Sequence, residues 1–282
     1  MNPFHFLTLL FYIIVTLTTS CSSSDSTEEN TSQQRYEQRE FIYRLHNDTF
    51  GKVPPGVAQT PEPYPWDKNH VGNHLKITKD FFRCRGSNLN PVHIVQEKGE
   101  QVRYYDCGGS EKHSLQLRNQ KEFVYPILID LLNYIQAKTE KRVVITSGHR
   151  CPDHNTYVDA SESNRFSKHM VGAEVSFYVQ GQENNPEAIV RLIQNYYKET
   201  AKYENKKEYI EFQRYQKGDT DVSTQPWMNK EVFIKLYKTK EGRNFDNRHP
   251  YPYLSIQVRY DFDTREKIIY TWDKGNNNFM RF

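Results

Sequence analysis

Apolar residues fall along this chain in runs whose spacing separates helices from strands. Ile127, Leu128, Leu131, Leu132 and Ile135 recur at helical spacing behind Pro126, which suits a first turn, and predict a helix with one buried face. Asn185-Pro186-Glu187 places a capping residue, a proline and an acid where a second helix starts, and Ile189, Val190, Leu192, Ile193, Tyr196 and Tyr197 form its buried face. Short β-branched or alternating runs predict strands at 143–145, 173–179, 231–239, 253–261 and 267–273, the last two joined through Asp263-Thr264-Arg265-Glu266. Upstream, 92–96 and 101–107 flank Glu97-Lys98-Gly99-Glu100 and predict a hairpin. No internal repeat is present. Two main helices against an antiparallel or mixed sheet make an α+β domain.

The first residues carry a different pattern. Residues 4–17 are an apolar stretch too short for a comfortable membrane span, followed by Thr18-Thr19-Ser20-Cys21. Small residues before a cysteine predict a signal peptide over 1–20 with Cys21 as a lipidated first residue; an ordinary signal peptide or an uncleaved anchor are the alternatives. Residues 22–40 are polar and 53–66 proline-rich, so 21–66 reads as a tether and 67–282 as the folded domain. The expected location is the bacterial cell envelope, with the chain held at a membrane by its lipid.

Charge changes the picture by exclusion. Lys and Arg number 38 against 35 Asp and Glu, a net +3 without a basic stripe, which argues against a nucleic-acid partner. Export permits disulfides. Cys84 and Cys107 flank the predicted hairpin and are the candidate pair, leaving Cys151 as a free thiol.

Candidate chemistry gathers between 143 and 179. Ser147-Gly148-His149-Arg150 ends one strand, Pro152 and His154-Asn155 follow, and Ser167-x-His169-x-x-Gly172 precedes the next strand. These residues resemble the zinc D,D-carboxypeptidase family M15, which shares its fold with the Hedgehog signalling domain. The specific motifs lie within 147–172, and the order of elements follows the family from about 75 to 261. The resemblance implies an M15/Hedgehog-like fold. It also implies a zinc ion on His169, on an acid at position 176 and on a histidine in the strand 253–258, with Arg150 and Ser167 binding substrate.

This chain departs from that pattern. Position 176 is Ser, and Ser255 or Gln257 stands where the later histidine belongs. Zinc takes imidazole, thiolate or carboxylate ligands, three of them from the protein in a catalytic site. Glu174, on the same strand face as Ser176, and His249, in the loop before the last ligand strand, are candidate replacements; His149 and His154 are further ones. Arg150 is suited to a peptide carboxylate, and its structural alternative is a loop-holding ion pair with Asp153 or Glu174.

Two functions follow. The first expectation is an envelope lipoprotein that has lost its zinc, needs no cofactor, and binds cell-wall peptide or acts as a scaffold. The alternative is an active zinc carboxypeptidase or endopeptidase on peptidoglycan peptides with a rebuilt metal site. A third reading makes the Tyr-rich segment 196–216 an exposed adhesive surface.

Overall fold

The hairpin predicted around Lys98-Gly99 forms from β1 (His93–Glu97) and β2 (Glu100–Tyr104). Lys98 (φ 50°) and Gly99 (φ 89°) both adopt the left-handed backbone that a two-residue turn between right-twisted strands demands. A computed structural model of the chain describes residues 67–159, 166–216, 218 and 220–282. The expected signal peptide, Cys21 and the whole 21–66 tether lie outside the described residues.

Helix α1 (Pro126–Thr139) carries the predicted stripe, with Ile127, Leu128, Leu131, Leu132 and Ile135 all buried. It stops where Glu140 turns left-handed (φ 52°). Then come β3 (Val143–Ser147), α2 (Pro152–Val158), β4 (Glu174–Val179) and α3 (Pro186–Glu199). The chain continues through β5 (Gln213–Arg214), β6 (Trp227–Met228), β7 (Val232–Tyr237), β8 (Tyr253–Val258) and α4 (Trp272–Asn277). β3 to β8 form one six-stranded sheet in the order β3-β4-β8-β7-β6-β5, antiparallel at every junction. The fold is α+β, as the residue pattern predicts.

Strand alternation divides the sheet into two faces of different chemistry. Val175, Phe177 and Val179 of β4, Val232, Ile234 and Leu236 of β7, and Leu254, Ile256 and Val258 of β8 join the stripes of α1 and α3 in one core. Truncating any of the fully buried leucines to Ala is expected to cost about 2–5 kcal/mol. The other face of the same strands is polar. The register sets Lys235 opposite Ser255 and Ser255 opposite Ser176, while Gln257 stands opposite Glu174.

A bulge at Thr146 extends the polar row to β3. Ile145 pairs with Phe177, but Ser147 pairs with Ser176, so the extra residue takes Ser147 off the core face and onto the polar one.

Two expectations fail. The strand 267–273 is limited to the pair Glu266–Lys267 against Tyr260–Asp261. Ile269 and Tyr270 are exposed, and Thr271 then caps α4 by accepting from the Lys274 N–H. Nor does the Tyr-rich segment 196–216 present its rings as an exposed surface. Tyr196, Tyr197, Tyr203 and Tyr209 are all buried, and the Tyr203 hydroxyl donates to Glu231 Oε2 at 2.6 Å. The rings that would have made a sticky surface are core.

Candidate functional site

The polar face of the sheet floors a pocket of about 800 Å³, whose lining includes Arg150, Ser167, Lys168, His169, Glu174 and Ser176. Local sequence explains how each arrives there. Gly148 lets the β3 end pass against the Phe82 backbone, where a Cβ would meet Phe82 Cα and O at 2.6 Å. The His149 N–H is fixed to the Phe82 carbonyl by a 2.6 Å bond. Arg150 follows directly. Ser167 caps the short turn Lys168–Val171 by accepting from the His169 N–H, and Gly172 (φ +68°) closes that turn and feeds β4.

His169 and Glu174 meet as the sequence suggests. His169 Nδ1 donates to the Gly148 carbonyl at 2.6 Å, which leaves Nε2 as the unprotonated nitrogen, 3.6 Å from Glu174 Oε1. Burial, opposed by the neighbouring Glu174, pulls the His169 pKa down to about 4, so the ring is neutral at pH 7. Burial disfavours ionised Glu174. His169, Lys235 and the Ser255 and Gln257 donors outweigh it and hold the carboxyl at about 2.

The rest of the expected ligand set is elsewhere or of the wrong type. Glu174 Oε1 accepts from Ser255 Oγ at 2.6 Å and from Gln257 Nε2 at 2.9 Å. An amide N–H directed at a carboxylate is a hydrogen-bond donor and offers a metal nothing. His249 is not a third ligand: its ring packs on Tyr178 and Tyr253, 5.0 and 5.5 Å between centroids. His154 is taken up by two carboxylates, and His149 is buried and held neutral, its pKa drawn down to about 3 chiefly by burial. Among the described residues, no third His, Cys, Asp or Glu joins His169 and Glu174 at metal-binding distance. The residues present supply two ligands and so do not fit a zinc centre of the M15 type.

Arg150 is anchored differently from either expected pair. Its Nε donates to Ser147 Oγ at 2.9 Å and to Asp246 Oδ2 at 2.8 Å. Asp153 pairs with Arg281 instead. The other oxygen of Asp246 accepts from His154 Nε2 at 2.9 Å, and His154 Nδ1 donates to Asp106 at 2.6 Å. Burial lowers the His154 pKa, but the two carboxylates more than offset it and push it up to about 9. The result is a buried chain, guanidinium–carboxylate–imidazolium–carboxylate, that fixes Arg150 at the pocket wall.

Several residues in and behind the pocket wall carry no signal in the sequence. Asp246 lies 96 residues from Arg150, and only the fold relates them. Arg243 holds the loop between β7 and β8 by donating to the carbonyls of Lys238, Thr239, Asn247, His249 and Tyr251. Lys168, whose pKa is drawn down to about 8 by burial against the opposing field of Glu174, reaches Gln257 Oε1 at 3.4 Å. Stacked rings of Tyr237 and Tyr253, 4.5 Å apart, form one wall. Alternation predicts the two faces of these strands; the M15 resemblance marks the Ser255 and Gln257 face of 253–258 as the site, and nothing in the sequence marks the matching face of 232–237.

The cysteine expectation also changes. Cys84, Cys107 and Cys151 are all free thiols, with Cys84 and Cys107 Sγ 3.9 Å apart. A disulfide requires about 2.05 Å, and here a third sulfur shares the site.

The family model of peptidase M15 matches residues 109–212, the span that carries α1, β3, α2, β4 and α3 and every residue of the two motifs. No curated protein and no solved structure matches the chain.

Proposed function

From a chain that is peptidase M15-like over residues 109–212, we propose a peptide-binding domain that keeps the cleft of a peptidase and works without zinc in it. The observation that carries this reading is the Ser255–Glu174–Gln257 cluster, which satisfies by hydrogen bonds the carboxylate that would otherwise face a metal. Arg150 lines the pocket with its Nε bonded to Ser147 and Asp246, and in this reading the two terminal amino groups of its guanidinium fork take the ligand. A fork of this kind matches a carboxylate in two parallel hydrogen bonds. Lys168 adds a second cation, and the tyrosine wall offers apolar surface to a side chain.

The ligand in this reading is a peptide with a free C-terminal carboxylate, and the peptide moiety of bacterial cell wall is the member of that class the M15 likeness favours. A lipid on Cys21 with residues 21–66 as tether would hold the pocket near the wall, where the protein acts as a binding lipoprotein or scaffold.

A second reading, zinc-dependent cleavage of the same peptides, draws on one observation: His169 Nε2 and Glu174 Oε1 face each other at 3.6 Å with no proton between them. A bridging water satisfies both atoms equally well.

Calorimetric titration of the full chain with a D-Ala-D-Ala-terminated peptide, in buffer to which no zinc is added, tests the proposal. Binding that persists, weakens tenfold or more in Arg150→Ala, and disappears when the peptide is C-terminally amidated is expected. Binding or cleavage that occurs only with added zinc would overturn it.

A further inference from the structure

Outside the cleft, four side chains converge from separate parts of the chain. Cys84 follows the turn Lys79–Phe82, Cys107 lies just past the β1–β2 hairpin, His113 lies in the loop beyond it, and Cys151 is the N-cap of α2. Their three sulfurs and one imidazole nitrogen lie within 4.8 Å of one another. Cys84, Cys151 and His113 are buried, and Cys107 is partly so. We propose that these three cysteines and one histidine form a zinc site, structural in role and separate from the peptide cleft.

The geometry favours a metal over a disulfide. Tetrahedral zinc with Zn–S of about 2.3 Å sets its sulfurs about 3.8 Å apart. Cys84 and Cys107 are at 3.9 Å, too far for a bond and near the separation two ligands of one ion require.

His113 gives an independent indication. It is 4% exposed, and its Nδ1–H donates to the Ser114 carbonyl at 3.0 Å. That bond fixes the tautomer in which Nε2 carries the lone pair, as it does for metal-bound histidines. Nε2 is buried among the sulfurs with no hydrogen-bond partner. A buried acceptor left unpaired is unfavourable by about 1–3 kcal/mol, and a cation at the centre would satisfy it.

The surroundings are those of thiolates. The His154 N–H donates to Cys151 Sγ at 3.4 Å. Gly86 leaves room for the Cys107 sulfur, which a Cβ there would overlap at 2.1 Å. The alternative trio of Asp106, Cys107 and His154 is a poorer candidate, because both His154 ring nitrogens already donate to carboxylates.

Four protein ligands leave no open position, which is the mark of a structural rather than a catalytic zinc. Thiolate-rich sets select soft or borderline cations, so zinc is preferred to magnesium or calcium. The ion would tie the segment 84–113 to the start of α2, one residue after Arg150, and so brace the wall from which Arg150 works.

The test uses the purified full chain. We expect about one zinc per chain, lost in Cys84→Ser and Cys151→Ser and kept in His169→Ala. Cobalt exchanged into the protein should show intense sulfur-to-metal charge-transfer absorption. His113→Cys should retain the ion on four thiolates, which answers the case in which the serine variants fail to fold. In the unmodified chain, maleimide should label Cys84, Cys107 and Cys151 only after a chelator is added. A chain that takes up no zinc, zinc that is unaffected by the cysteine variants, or peptide mapping that finds Cys84 and Cys107 in a disulfide would overturn the proposal.

Discussion

Gln257 Nε2 donates to Glu174 Oε1 across 2.9 Å, from directly opposite positions of β8 and β4. Two residues along each strand, Ser255 stands opposite Ser176; the M15 resemblance implies an aspartate at position 176 and a histidine at 255 or 257. In the function proposed above, these positions hold hydrogen-bonding side chains in place of metal ligands. If those side chains alone bar the metal, restoring the ligands should restore binding. Ser176→Asp combined with Ser255→His should add about one zinc equivalent per chain by elemental analysis. Removing His169 from that variant should abolish the gain.

Asp246 lies between two buried cations, Arg150 and His154, and is itself only 4% exposed by side chain. Its removal leaves both without their shared partner. Asp246→Ala is expected to lower stability by about 3–5 kcal/mol, the range for breaking a buried pair from one side. Denaturant unfolding measures this, with Asp153→Ala, at an exposed pair, changing stability by less than about 1 kcal/mol.

The same chain of charges predicts a pH dependence. His154 binds its proton more tightly in the folded protein, at about 9, than an unperturbed histidine does at about 6.5. Its contribution is therefore complete below about pH 6.5 and is lost as pH rises through 9, an effect of about 3 kcal/mol. Unfolding curves from pH 6 to 10 should show this decline, and His154→Gln should flatten it.

Lys168 gives ligand binding a separate dependence. Its ammonium is charged below about pH 8 and neutral above. Affinity for a peptide carboxylate should fall severalfold between pH 7 and 9.5 by calorimetry. Lys168→Arg, charged throughout, should remove most of the change.

How much of this was legible depended on the range of the interactions. The helix stripes behind Pro126 and Pro186 and the hairpin at Lys98-Gly99 are local patterns, and they form where expected. Glu174 and His169 sit close in sequence on a turn and strand, so their meeting followed from strand alternation. Asp246, Arg243 and the tyrosine wall did not, because the loop and strands that bring them to Arg150 are joined only through tertiary contacts. His249 was misplaced for a related reason. Beside the Tyr178 and Tyr253 rings it packs as an aromatic, and a loop position cannot reveal that preference. Chain order suggests the single pair Cys84 and Cys107, whereas the fold gathers three cysteines with His113.

The most direct test of a zinc-free cleft is the zinc content of the full chain compared with that of His169→Ala, each purified and dialysed identically. The account predicts the same amount in both, because the cleft contributes none. A loss of one equivalent in His169→Ala would contradict it and make the pocket a metal centre after all.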